Sequence, residues 1–264
     1  MSDHHRYSVS TIGHGVPTEV HRLRELSAFL DPDTFAALED LGIQEHWACL
    51  DIGAGNGSVA EWLAGRVPLG SVIATDIDTR HLRTDVPRMT PMVHDAATDE
   101  FPSASFDLVH IRMVLMHLAQ PQDVVRRIAR WLKPGGHLVI GGFDVSIGAA
   151  SPEPKVARVL AGLQRHFREE IGSDLRAERL APEWLRQAGL VEVEARYHPA
   201  VCGPGQRGQA FLWASLHQAR SAIVSSGVCT DRDFTDLRAW MDEPGSAEIY
   251  GVRPIIRASR PSTL

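Results

Sequence analysis

Ala48-Cys49-Leu50-Asp51-Ile52-Gly53-Ala54-Gly55-Asn56-Gly57-Ser58-Val59-Ala60 is the stretch that decides the fold. A short apolar run from Trp47 to Leu50 leads into an acid, Asp51, and three glycines follow at alternate positions, Gly53, Gly55 and Gly57. A helical pattern begins near Ser58. The order is a strand, a tight glycine turn and a helix N-terminus. Glycine tolerates positive φ, and its missing Cβ lets a ligand approach the backbone. The helix N-terminus adds unpaired N–H groups and the positive end of the helix dipole. Such a turn can hold a nucleotide-like ligand at the carboxyl end of a parallel sheet.

The acid separates the possible ligands. A dinucleotide fingerprint is G-x-G-x-x-G, with a pyrophosphate on the helix N-terminus. Here the spacing is G-x-G-x-G, and Asp51 lies two residues before the first glycine. A carboxylate beside the turn repels a pyrophosphate and suits an ammonium group. A P-loop is excluded, because no Gly-Lys-Ser/Thr follows.

Outward from this turn the chain alternates. Residues 18–30 and 33–41 read as two helices, broken by Asp31-Pro32-Asp33, with Asp33 or Thr34 able to cap the second. Strands are expected at 47–52, 71–75, 91–93, 106–111 and 137–143, with helices at 57–65, near 78–84 and at 121–132. Lys133-Pro134-Gly135-Gly136 reads as a sharp turn before the fifth strand. Beyond it, helical patterns cover 152–171, 182–188, 206–226 and 231–241. A sixth strand alternates through Val191, Val193, Ala195 and Tyr197, and a last apolar run extends from Ile249 to Ile256. Pro254 inside that run predicts an edge or interrupted strand. Alternating strands and helices imply an α/β, doubly wound, Rossmann-like and mostly parallel sheet with helices on both faces. Residues 1–46 form an N-terminal helical cover segment in this reading. Residues 47–264 form the ligand-binding domain, with helical insertions near 146–175 and 203–230.

Composition agrees with one large domain or two small ones. The chain has 264 residues, 44% hydrophobic and 23% charged, enough for a sizeable core. A net charge of −6 gives no electrostatic case for nucleic acid or an anionic membrane. No run is long and apolar enough for a membrane span, and the N-terminus lacks a signal-peptide core. The 3 cysteines, Cys49, Cys202 and Cys229, form neither a disulfide framework nor a zinc spacing, which fits a reducing cytoplasm. The 13 histidines contain no H-E-x-x-H, and no metal site is expected.

Four further pieces follow the glycine turn in order. The second strand ends in Asp76, where an acid can accept hydrogen bonds from both hydroxyls of a ribose. A helix-capping role is the plainer alternative. His94-Asp95-Ala96 follows the third strand, and its carboxylate could accept from an adenine amino group. A solvated loop acid is the alternative there. Ser105 to Leu118 and Trp131 to Ile140 then run through the fourth strand and into the fifth.

Taken together, residues 47–143 resemble the class I S-adenosylmethionine-dependent methyltransferases of the small-molecule type. The resemblance implies a seven-stranded sheet with an antiparallel last strand, and S-adenosylmethionine as cofactor. It implies that Gly53, Gly55 and Gly57 meet the methionine part, with Asp51 near its ammonium. It implies that Asp76 holds the ribose and Ile77 packs on adenine, that Asp95 reads the adenine amino group beside Ala96, and that Ile111 and Arg112 line the methionine and sulfonium region.

Methyl transfer needs a base only where the acceptor must lose a proton. Candidates are His117, His14 and Tyr7, with His21 also available, while His110 inside a strand is better read as a structural histidine. Arg22 could pair with the cofactor carboxylate, or lie on a helix surface. Phe167, Phe211, Trp213 and Leu216 could line an apolar pocket for an aromatic or terpenoid-like acceptor, although core packing is the blander reading. The expected partner is a small-molecule acceptor, with a homodimer left open and neither nucleic acid nor membrane. Two alternatives carry different chemistry: a methyltransferase-fold protein that binds S-adenosylmethionine for a non-methylating step or as a partner subunit, and an NAD-dependent oxidoreductase. Asp51 and the glycine spacing oppose the latter.

Overall fold

The computed structural model describes residues 10–262. Its centre is a 7-stranded sheet of order β3-β2-β1-β4-β5-β7-β6. The strands are β1 (Ala48–Ile52), β2 (Ser71–Asp76), β3 (Met89–Val93), β4 (Phe106–Arg112), β5 (Leu132–Gly141), β6 (Val191–Cys202) and β7 (Glu248–Ser259). β1 pairs in parallel with β2 and β4, as do β2 with β3 and β4 with β5, while β5 and β7 run antiparallel. The sheet is the expected one, and its order reverses between β1 and β4. In open α/β sheets that switch point is where a ligand crevice forms. β1 and β4 are buried almost throughout, as strands covered on both faces must be.

The α-helices are α1 (Glu19–Glu39), α2 (Ser58–Arg66), α3 (Pro121–Trp131), α4 (Pro154–His166), α5 (Ala177–Gln187), α6 (Gly208–Ser225) and α7 (Asp231–Met241). α3 shows how local sequence sets an element. Pro121 opens it, where a missing N–H costs nothing, and Val124, Val125, Ile128, Ala129 and Trp131 form its buried stripe. α7 is closed at its start by a capping box between Thr230 and Asp233.

Four local expectations are corrected. Residues 18–41 contain one helix, α1, with Pro32 inside it, rather than two helices broken at Asp31-Pro32-Asp33. Residues 78–84 form turns instead of a helix. There the Asp76 and Asp78 side chains accept from the backbone N–H groups of Asp78 and Arg80, bonds that compete with a helical ladder. Lys133 to Gly136 belong to β5 as an irregularity, since the register jumps from Phe106↔Leu132 to Leu108↔His137. Gly135 takes φ +77° there, and Gly135 and Gly136 exchange hydrogen bonds with Arg260. Finally, β7 is continuous through Pro254 and lies between β5 and β6. The Gly142 N–H donates to the Pro254 carbonyl, so the proline forfeits only the return bond of one rung.

The chain divides into two compact units. One comprises the chain up to Leu30, Phe143–Arg176 and Tyr197–Arg253; the other comprises Asp31–Gly142, Ala177–Arg196 and the chain from Pro254 onward. The first division falls inside α1, between Leu30 and Asp31. The second unit holds a core that includes Leu38, Val59, Leu63, Val72, Leu108 and Val139. The first unit has an aromatic core, where Phe29 stacks on Phe211 at 5.8 Å and Phe143 meets Tyr250 edge-on at 5.5 Å.

Candidate cofactor and active site

Every residue expected to meet the cofactor lies in the second unit. β1 ends in Asp51 and Ile52, and the chain then turns through Gly53, Gly55 and Gly57 with φ of +66°, +58° and +83°. Only glycine adopts such angles without strain. A Cβ on Gly53 would stand 2.2 Å from Val114 Cγ2, so that side of the turn has no room for one. The turn is tied to β2: Ala54 N–H donates to the Thr75 carbonyl (2.8 Å) and Gly55 N–H to Asp76 Oδ2 (2.9 Å). Asp76 is 6% exposed and thus shapes the turn as well as ending β2.

Asp51 and His110 are register partners across β1 and β4, and their side chains meet, His110 Nδ1 to Asp51 Oδ1, at 2.7 Å. Both side chains are almost wholly buried. Asp51 Oδ2 and His110 Nε2 are buried without a hydrogen-bond partner. A buried carboxylate oxygen left unsatisfied is costly, and an ammonium group is the ligand chemistry that satisfies it. That orphan oxygen, beside a turn with no room for a Cβ at Gly53, fits the amino-acid end of S-adenosylmethionine. His110 is buried within β4 and meets Asp51 through Nδ1.

β4 ends at Ile111, fully buried, and Arg112. The Arg112 guanidinium donates to Asp31 Oδ1 (2.9 Å) and Thr34 Oγ1 (3.1 Å), both on α1. Met113 follows with φ +60°, and a 3₁₀ turn, Leu115–His117, places half-buried His117 one turn past the strand tip. At the third strand, Asp95 is half-buried and its Oδ1 accepts the Ala97 N–H (2.8 Å), while the buried Ala96 carbonyl accepts from Arg127. Neighbouring His94 stacks on Phe101 at 4.7 Å, and burial pushes its pKa down. Ile77 is half-buried beyond Asp76.

The other candidates are dispersed. His14 is buried in the first unit, and Tyr7 lies outside the described residues. Arg22 is bound bidentately to buried Glu19 at 2.8 and 2.6 Å within the first unit, a pairing that occupies it. Phe167, Phe211 and Leu216 are buried core residues, as the blander reading has it, and Trp213 is half-buried under the Arg238 guanidinium. Sequence reasoning missed Asp31 and Thr34, which it took for a helix break and a cap. It also missed Glu178 on α5, whose Oε1 accepts the Met116 N–H (3.2 Å). A Cβ on Gly142 would stand 2.5 Å from Glu178 Cγ. No periodic signal marks such an acid in advance. Among the described residues no helix is long and apolar enough to cross a membrane, and no group of three or more His, Cys, Asp or Glu could hold a metal.

Comparison with known proteins gives the same assignment. Residues 50–140 match the methyltransferase domain family. The chain is 29% identical to methyltransferase str2 of Strobilurus tenacellus over 192 residues, 68% of this chain and 70% of the relative. It is 32% identical to the 27-O-demethylrifamycin SV methyltransferase of Amycolatopsis mediterranei over 191 residues, 58% of this chain and 69% of the relative. Among solved structures, phosphoethanolamine N-methyltransferase 2 of Haemonchus contortus, bound to phosphomonomethylethanolamine and S-adenosylhomocysteine, shares the fold. Its TM-score is 0.56 at 20% identity, over 98% of this chain and 57% of that one. With its glycine turn, its strand order and these relatives, the chain belongs to the class I S-adenosylmethionine-dependent methyltransferases.

Proposed function

We propose that the acceptor is a small organic molecule, aromatic or terpenoid-like, of the kind made in specialised metabolism. The relative from Amycolatopsis supports this class, since its name gives a small-molecule acceptor methylated on oxygen. We assign acceptor recognition to the segments outside the sheet, residues 1–46 and the insertions near 146–175 and 203–230, and the methyltransferase domain to 47–264.

The observation that carries the cofactor roles is the orphan Oδ2 of Asp51 beside the Gly53–Gly57 turn. In this reading Asp51 faces the ammonium, Gly53, Gly55 and Gly57 the methionine chain, and Ile111 and Arg112 the methionine and sulfonium region. Asp76 takes the ribose hydroxyls, Ile77 packs on adenine, and Asp95 and Ala96 meet the adenine edge. The bound cofactor supplies an electrophilic methyl group on a sulfonium. The protein's share is to orient the reactants and exclude water, and orientation alone can be worth about 7–11 kcal/mol.

His117 is the proposed base where the acceptor is a hydroxyl, because it follows the β4 tip on the same short segment as Arg112. The cofactor roles are tested by calorimetric titration with S-adenosylhomocysteine, with NADH as control; binding of NADH alone would overturn them. The acceptor class is tested by radiolabelled methyl transfer to a panel of phenols, terpenoid alcohols and amines. His117→Ala is expected to lower kcat on hydroxyl acceptors about 100-fold or more, while S-adenosylhomocysteine affinity holds. Unchanged turnover would remove His117 from the chemistry.

A further inference from the structure

Asp31 interrupts a helical pattern in the sequence, yet in the structure its carboxylate is a junction. Oδ1 accepts from Arg112 Nη2 at 2.9 Å and from Ser58 Oγ at 3.1 Å. Arg112 is the last residue of β4, and Ser58 is the first residue of α2, directly after the glycine turn. One carboxylate on α1 thus bridges the two chain segments that flank the switch point of the sheet. Thr34, one helical turn further along α1, takes a second guanidinium N–H at 3.1 Å. The Arg112 and Asp31 side chains are only 10% and 15% exposed, so the pair is less screened than a surface ion pair.

We propose that Asp31 is a positioning residue for the methionine end of the cofactor, holding Arg112 and the start of α2 in the geometry that this end requires. The proposal rests on the reading of the glycine turn as the cofactor site. The guanidinium has five N–H donors in a rigid fork, and two of them are committed to α1. Anchored in this way, the fork has a fixed plane in which its other donors can meet a ligand carboxylate. Loss of Asp31 has two opposing effects. It removes a countercharge, which would strengthen the pull of Arg112 on a ligand carboxylate. It also frees a long side chain and the first turn of α2. The second effect dominates, because an unanchored guanidinium can swing toward solvent, where its charge is screened, and must then be reordered on binding.

The test separates the two ends of the ligand. S-adenosylhomocysteine carries the amino-acid end, whereas 5′-methylthioadenosine has the same nucleoside and thioether without it. Asp31→Ala is expected to raise the Kd for S-adenosylhomocysteine about tenfold and to leave that for 5′-methylthioadenosine within about twofold. Asp31→Glu should recover most of the loss. Glu39→Gln is the control, since Glu39 forms an exposed ion pair with Arg66, also between α1 and α2, and should change neither affinity. An equal loss for both ligands would mean general loosening of the fold and would overturn the proposal, as would unchanged or tighter binding of S-adenosylhomocysteine. Failure of the unaltered protein to bind S-adenosylhomocysteine would instead overturn the reading beneath it.

Discussion

Gly53 is the residue at which the backbone requirement of the turn coincides with the proposed cofactor role. Its φ of +66° costs a side-chain-bearing residue about 1–2 kcal/mol, and a Cβ would stand 2.2 Å from Val114 Cγ2. Gly53→Ala is therefore expected to lower the melting temperature by about 4 °C or more and to abolish measurable binding of S-adenosylhomocysteine. Circular dichroism melts and calorimetry check both, and an alanine variant that binds normally would show that Val114 yields freely. This residue was legible in the sequence because the constraint is local: the turn after β1 takes a positive φ with no room for a Cβ. Asp51 was legible for the same reason, and so was the place of His110 in the sheet. Asp31 was not. Its partners Ser58 and Arg112 are far away in sequence, and a carboxylate before a proline looks like a helix break whatever it touches. Glu178 was hidden in the same way, as an acid buried by tertiary contact inside an otherwise ordinary amphipathic helix.

At the scale of elements, periodicity located the central strands well and the irregular ones poorly. β1 and β4 are short, apolar and bounded by turn residues, so they could be read directly. Pro32 and Pro254 misled for one shared reason: a proline removes a single N–H, and the surrounding structure can absorb that loss. In β7 the price is one bond of a rung. In α1 the helix runs from Glu19 to Glu39 with the Pro32 nitrogen unable to donate to the Ala28 carbonyl. Pro32→Ala restores that donor in a helix interior, where proline costs up to about 3 kcal/mol relative to alanine. A gain of about 1–3 kcal/mol in unfolding free energy is expected, read from urea titration. No gain would show that α1 depends on the fixed φ of the proline, which immediately follows Asp31. The turns at 78–84 teach the complementary lesson. Helical spacing was present there, but Asp76 and Asp78 spend their carboxylates on nearby backbone N–H groups, and the helix is lost.

At the scale of the whole molecule, the sequence revealed a doubly wound sheet but not how the chain is shared between two compact units. Each unit is assembled from three separate stretches, and α1, β6 and β7 each pass from one to the other. Local patterns carry no trace of that division, because it depends on which distant segments pack together. The three cysteines happen to be distributed across it. Cys49 lies in β1 in the unit of the glycine turn, and Cys202 and Cys229 lie in the other. Burial pushes their thiols up, to about 12 for Cys49, about 12 for Cys202 and about 11 for Cys229. A thiol must be both reached and deprotonated to react with an alkylating reagent. At neutral pH the native chain should therefore stay unlabelled by iodoacetamide, and each cysteine should react only when its own surroundings open. Peptide mass mapping after brief pulses would then time the opening of each unit separately, with S-adenosylhomocysteine expected to slow the labelling of Cys49. Rapid labelling of Cys49 in the native protein would contradict its burial. The three buried thiols would thus serve as built-in clocks for how the molecule comes apart.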